Sequence, residues 1–299
     1  ILKLIYLETE NMTPYDIEVI DEWRHSFANP NEPIGVQPDV WERVKYLKKN
    51  GYTHFPHVQS VMGRRASKGM LGGVIGAERI AHLISLDNPQ EHYGIAEGKD
   101  IMLSVIATSR TQAKKNQFAD IRQAVEQNPW LAKHISTSAE DRLTLMTAHD
   151  KRRIAEMLGR NLAGQREIAT IQAVAMSSTS SAGRGGTGFV NMFDEFAHMI
   201  TGTGGPRSSD EVYEAYQPSL DQFGKDSFTY VPSSPFCLAP ETLVLTDDLI
   251  WVPVGSLQRG DKVVGFDEDA PSGAGQGRKW RQSEVVETSV IQAARYKIT

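Results

Sequence analysis

The stretch that most constrains this chain is Phe189-Val190-Asn191-Met192-Phe193-Asp194-Glu195. A short, nearly unbroken apolar run matches a strand buried on both faces, the kind found in a parallel sheet covered by helices. The run ends in two adjacent carboxylates. Side chains alternate along a strand, so neighbouring acids at its tip point different ways. One is then placed to hold a magnesium ion and the other to face an attacking water. Ligands of open parallel sheets bind beyond the carboxyl ends of the strands, so both acids stand where chemistry is expected. The plainer reading is an acid pair at a helix N-terminus, where the helix dipole favours negative charge.

If the first reading holds, a phosphate-binding element should lie elsewhere in the chain. The segment from His57 to Met62 reads as a strand, Gly63-Arg64-Arg65-Ala66-Ser67-Lys68-Gly69 as a basic turn, and Met70 to Ser85 as a helix with Ala, Ile and Leu at helical spacing. Strand, glycine-containing turn and helix together form a phosphate-binding loop. Backbone N–H groups and the helix N-terminus face the phosphates, and a lysine reaches the terminal ones. Lys68 stands at the lysine position. The pattern G-x-x-x-x-G-K-[ST] departs at its neighbours, because Ser67 replaces the glycine and Gly69 replaces the hydroxyl residue that usually binds magnesium. A basic surface turn before a helix is the alternative.

The remaining elements are read with less chemistry attached. Val40 to Leu47 has helical spacing, and upstream Gln37 is either an exposed loop amide or an adenine-reading one. Ile101 to Thr108 reads as a second buried strand. A single amphipathic helix is expected from Ser109, its N-cap, to about Gln127. The cations Arg110, Lys114 and Lys115 on it read as a solvated face or as a contact to a nucleic-acid backbone. Leu143 to Met146 and Ala169 to Val174 read as strands around a helix from Asp150 to Asn161. The Ser/Gly-rich loop from Ser177 to Gly188 carries Arg184, either an ordinary loop arginine or a group that stabilises phosphoryl-transfer charge or binds DNA. Helices are expected from about Phe196 and from Val212 to Phe223, and a strand from Phe228 to Val231 leading into Pro232-Ser233-Ser234-Pro235. Strands alternating with helices give an α/β fold with a mainly parallel sheet.

Composition excludes rather than identifies. A net charge of −5 gives no global basic field, so nucleic-acid binding would need a local patch. No apolar run approaches the roughly 20 residues of a membrane span. The single cysteine, Cys237, rules out an internal disulfide and fits a reducing compartment. The chain opens on Ile1, as a fragment lacking its first residues would.

With the loop, the acidic strand and Ser233-Ser234 in this order, residues 1–236 resemble the ATPase domain of tailed-bacteriophage terminase large subunits, the DNA-packaging motors. The resemblance implies a P-loop NTPase-like fold that takes ATP and Mg2+. It assigns phosphate binding to the loop Gly63 to Gly69 with Lys68, magnesium to Asp194, and the attacking water to Glu195. Ser233 and Ser234 would sense the terminal phosphate and couple hydrolysis to movement. The implied partners are double-stranded DNA, the terminase small subunit, the portal protein and further copies of the chain, in the host cytoplasm and without a membrane. A helicase-like P-loop ATPase and a nucleotide-binding module without turnover are the competing readings.

From Phe236 onward the texture changes to short strands and turns: Thr242 to Leu245, Ile250 to Val254, Asp261 to Phe266, and Glu284 to Thr299 beyond a Gly/Ser-rich linker. Cys237-Leu238-Ala239-Pro240-Glu241-Thr242 followed by Gly260-Asp261-Lys262-Val263 resembles the N-terminal block of an intein, a self-splicing Hint domain. The resemblance implies that the Cys237 thiol attacks the Phe236 carbonyl to form a thioester. The family's Thr-x-x-His block and terminal Asn are not identifiable in residues 238–299, so splicing by this chain is not expected. A core cysteine in a β domain is the plainer reading. The expected organisation is an ATPase domain over 1–236 and a truncated, all-β, Hint-like segment over 237–299.

Overall fold

The computed structural model describes residues 1–26, 40–61, 67–160, 168–178, 187–196, 199, 209–233, 242–266, 280–286 and 288. The chain divides into two compact units: Ile1–Met12 with Pro38–Pro235, and Thr13–Gln37 with Phe236–Thr299.

The first unit begins with helices α1 (Leu2–Ile5) and α3 (Val40–Lys49), whose Leu4, Val44 and Leu47 pack with Leu7, Tyr52 and Phe55. Between them in sequence, α2 (Pro14–Ser26) belongs to the second unit. The body of the first unit is a seven-stranded sheet. Its strands are β1 (His57–Val61), β2 (Ile101–Ala107), β3 (Ile135–Ser138), β4 (Arg142–Leu145), β5 (Ile171–Ser177), β6 (Thr187–Phe193) and β7 (Phe228–Ser233). Their spatial order is β1-β7-β6-β2-β5-β4-β3. The five strands from β1 to β5 in that order are parallel, whereas β4 and β3 pair antiparallel. Flanking helices are α4 (Lys68–Ser85), α5 (Pro89–His92), α6 (Arg110–Lys115), α7 (Gln117–Gln127), α8 (Ala148–Gly159) and α9 (Ser209–Tyr216).

The central strands are the apolar runs of the sequence because both faces are covered. Ile101, Leu103, Val105, Ile171, Ala173, Val190 and Met192 are buried in one core with Ile75, Leu83, Phe118 and Ile121 from the helices. Where a strand is not covered, the sequence hides it. β3 is mostly exposed and polar, carries no apolar alternation, and was not expected. β4 was expected, but its antiparallel direction could not be read from four residues.

Three helical expectations are corrected. The single helix over residues 109–127 is two, α6 and α7, broken at Asn116 (φ −101°, ψ −107°), although Ser109 does cap the first by accepting from the Gln112 N–H. The helix expected over 212–223 is α-helical only to Tyr216; Pro218 cannot donate to an α ladder, and a 3-10 segment, Gln217–Asp226, takes over. The helix expected from Asp150 begins earlier, because Thr147 and Asp150 form a capping box. Buried Asp150 also accepts from the N–H and hydroxyl of Thr170 at 3.0 and 2.7 Å, which ties the start of α8 to the start of β5. Most of the helix expected after Phe196 lies outside the described residues.

Helices α4 and α7 approach closely. A Cβ added at Gly72 would strike the Gln117 amide, one at Gly73 would come within 3.1 Å of the Asp120 backbone, and one at Gly76 within 2.8 Å of Ile121. Glycine within a helix costs about 1 kcal/mol relative to alanine, and the close packing offsets that cost.

In the second unit, β8 (Leu243–Leu245) pairs antiparallel with β9 (Trp251–Pro253), and β10 (Lys262–Phe266) with β11 (Trp280–Glu284). The turn into β10 has Gly260 at φ +96°, a conformation that favours glycine, and Asp261 accepts from the Gln258 N–H at 2.7 Å. Among the described residues no helix is long and apolar enough to cross a membrane.

Candidate functional site

The candidate site lies at the carboxyl ends of β1, β7 and β6. Lys68 opens α4, the helix after β1, and Glu195 follows β6 by two residues. Separated by 127 positions in sequence, they form an ion pair at 2.5 Å, with Lys68 Nζ donating to Glu195 Oε1 and both side chains largely buried. β7 runs between the two parent strands and ends on buried Ser233, in register with Val61 at the end of β1.

Local backbone geometry sets this convergence. Ser67 has φ +61° and Glu195 φ +52°, the left-handed region that non-glycine residues adopt at a cost. Such strain persists when the surroundings enforce it, and it concentrates at functional sites. At Ser67 it explains the glycine of the phosphate-loop pattern, since the backbone needs that conformation just before the lysine. Serine fills the same backbone position here and makes no side-chain cap to α4. The first turn of α4 also carries no acid. Its leading N–H groups, which have no intrahelical acceptor, and the positive end of its dipole make an anion-binding surface.

Asp194 is buried, and its backbone N–H donates to the Ile106 carbonyl at 2.8 Å, which holds the strand end against β2. Burial is the main cause that lifts its carboxyl to about 6, and the adjacent Glu195 carboxylate adds to it. The Asn116 amide, at 3.5 Å from Asp194 Oδ2, and Lys68 pull the other way, while Asp120 pushes up. Burial likewise raises Asp120, on α7. A carboxylate held this way favours either a proton or a nearby cation. Among the described residues no group of three or more His, Cys, Asp or Glu side chains could hold a metal. A magnesium ion on a nucleotide does not require one, because phosphate oxygens and waters supply most of its six ligands. The donor set therefore fits Mg2+ with a nucleoside triphosphate: Asp194 for the cation, Lys68 and the α4 N-terminus for phosphates.

Of the site residues read from the sequence, Ser67, Lys68, Gly69, Asp194, Glu195 and Ser233 lie among the described residues and belong to this end of the sheet. Gly63, Arg64, Arg65, Ala66, Arg184, Ser234 and Cys237 lie outside the described residues, as does Gln37. Sequence reasoning missed Asn116 and Asp120. Neither belongs to a motif, and only the packing of α7 on α4 brings them to the site. The cations Arg110 and Lys114 are paired with Asp141 and Glu140, so this cluster presents much less free positive charge than the sequence suggested.

No protein-family model matches the chain, and no curated protein does. Among solved structures it is similar to the HK97 bacteriophage large terminase, at 18% sequence identity and a TM-score of 0.37, over 67% of this chain and 34% of that one. The chain thus spans about a third of that structure's length.

Proposed function

We propose that residues 1–236 form a nucleoside-triphosphate-hydrolysing domain of the DNA-packaging motor type, with ATP and Mg2+ as substrate and cofactor. The observation that carries the hydrolytic reading is the meeting of Lys68 with Glu195, beside buried Asp194, at the tips of the parallel strands β1 and β6, which flank β7. Lys68 and the leading N–H groups of α4 bind the phosphates. Asp194 holds the cation, which when bound neutralises charge on the transferring phosphoryl group. Glu195 orients the attacking water and accepts its proton. Lys68 pairs with Glu195, and on this reading phosphate binding draws the lysine away and frees the carboxylate for water.

The motor assignment rests on the sequence resemblance: the phosphate loop, the acid pair and Ser233-Ser234 in order. It carries double-stranded DNA, a small subunit, a portal and further copies of the chain as proposed partners, in the host cytoplasm. Arg184 is proposed as the cation that stabilises charge on the transferring phosphate. In the purified chain, Glu195→Ala should lower ATP turnover by about 100-fold or more while nucleotide binding persists; equal turnover removes Glu195 from the mechanism. Stimulation by double-stranded DNA supports the packaging reading, and preference for single strands with unwinding supports a helicase instead. Binding without turnover in the parent chain would leave a nucleotide-binding module, a reading supported by the missing hydroxyl after Lys68.

For residues 237–299 we propose the start of an intein at Cys237. Support comes from the Cys237 to Thr242 block and from the Gly260-Asp261 turn, whose glycine φ suits that pattern. The thiolate adds to the Phe236 carbonyl carbon, the Phe236–Cys237 C–N bond breaks, and the freed amine takes up a proton, leaving a thioester. Hydroxylamine should then release a fragment ending at Phe236, and Cys237→Ala should abolish release without changing ATP turnover. An intact chain after hydroxylamine treatment makes Cys237 an ordinary thiol here.

A further inference from the structure

In the phosphate-loop pattern the residue after the lysine carries a hydroxyl that binds the metal. Here that residue is Gly69. The space its side chain would fill is taken: a Cβ built on Gly69 would overlap Asp120 Oδ2 and come within 3.1 Å of Asp120 Cγ. A carboxylate from a different helix thus sits where the hydroxyl residue would be. We propose that Asp120 supplies the cation ligand that position 69 lacks, so that this chain builds its divalent-cation site from two carboxylates, Asp194 and Asp120.

The placement of Asp120 is fixed by packing. Gln117 Nε2 donates to the Gly69 carbonyl at 3.1 Å, and Gly72, Gly73 and Gly76 let α7 lie directly on α4. Asp120 lies one turn into α7 from Asn116, the residue before that helix, whose amide reaches Asp194 Oδ2 at 3.5 Å. Asp120 is half-buried, and among the described residues its carboxylate has no hydrogen-bond or ion-pair partner. Its charge nevertheless bears on Asp194. Two such carboxylates, one buried and one half-buried, repel each other unless a cation joins them, and carboxylate oxygens are the ligands Mg2+ prefers. The glycine at 69 and the acid at 120 form one exchange: the first makes room for the second.

This inference rests on the nucleotide-hydrolysing reading, and Mn2+ binding separates the two. In a titration followed by electron paramagnetic resonance, the parent chain with ADP should bind Mn2+. Asp120→Asn should weaken Mn2+ binding by about 10- to 100-fold, with ADP affinity in the absence of metal unchanged or improved. The double variant Gly69→Ser/Asp120→Ala, which restores a hydroxyl at 69 and clears its space, should recover most of the lost Mn2+ affinity. Unchanged Mn2+ binding in Asp120→Asn would overturn the proposal and leave Asp120 as a packing acid. Should that variant fail to fold, the double variant decides: near-parent Mn2+ affinity upholds the exchange, and loss as deep as that of Asp120→Ala alone overturns it. A parent chain that binds neither ADP nor Mn2+ would sink the hydrolytic reading, and this one with it.

Discussion

Helix α4 carries a buried cation near each end of the sheet, and the two surroundings differ in kind. Lys68, at its start, meets Glu195 beside Asp194, where burial and a neighbouring carboxylate leave an acid pushed up to about 6. Arg79, three turns on, sits in a closed network. Its guanidinium donates to both Glu78 oxygens at 2.5 and 2.7 Å, lies over the Tyr6 ring at 5.5 Å, and faces His54 Nδ1 at 3.4 Å. His54 Nε2 lies 3.2 Å from the Ser227 carbonyl. A carbonyl only accepts, so Nε2 carries the hydrogen and Nδ1 is left to accept from Arg79. Nearby, Tyr93 donates to Asp226 at 3.0 Å. The network joins α4 to the segments leading into β1 and β7, at the amino ends of the strands. Among the described residues, the charged groups at that end are matched to one another, whereas the carboxyl end sets Lys68 against Asp194, Glu195 and Asp120. The first arrangement ties elements of the fold together; the second is the one to which a cation is proposed to bind.

That contrast can be broken at three points. The largest effect is expected from Arg79→Leu, which removes the hub of the matched network and should cost about 3–5 kcal/mol in denaturant unfolding. A cost below 1 kcal/mol would mean that the network is incidental to stability.

The next concerns acid. Burial first, then Arg79, holds His54 down to about 4, below its ordinary 6.5. The unfolded chain therefore takes up a proton that the folded chain refuses. Stability is full above pH 6.5 and falls as pH drops toward 4, by about 3 kcal/mol at 1.36 kcal/mol per pKa unit. His54→Gln, whose amide mimics Nε2, should flatten that acid limb in unfolding measured across pH.

Asp194 should act in the opposite sense over the same window, and somewhat more weakly. Its folded value of about 6 exceeds the ordinary 3.8, so the folded chain holds a proton that the unfolded chain has released. Its ionisation penalty is absent below pH 4 and fully present above pH 6. Asp194→Asn should therefore stabilise the nucleotide-free protein by about 2–3 kcal/mol at pH 8, with the gain gone at pH 4. Equal stability of variant and parent at both pH values would show that the carboxyl end is as well matched as the amino end.

Much of the site was legible before any coordinates. Apolar runs become buried strands because helices cover both faces, so Ile101–Ala107 and Thr187–Phe193 were expected nearly in place. The acids at the end of one strand and the lysine after another were expected to meet, since parallel topology gathers strand ends. The exposed strand β3 was not legible, because exposed polar residues carry no periodic signal. Nor was the break at Asn116, which no proline or glycine marks.

The sequence by itself determined the alternation of strands and helices, the side chains offered at residues 67–69, 194, 195 and 233, and the change of texture after Pro235. Only the tertiary structure decided that Lys68 pairs with Glu195, that burial lifts the Asp194 carboxyl to about 6, and that Asp120 fills the space beside Gly69. The physical reason is range. Periodicity and turn chemistry act between neighbours in the chain, whereas burial and charge pairing depend on residues that packing brings together from as far as 127 positions away.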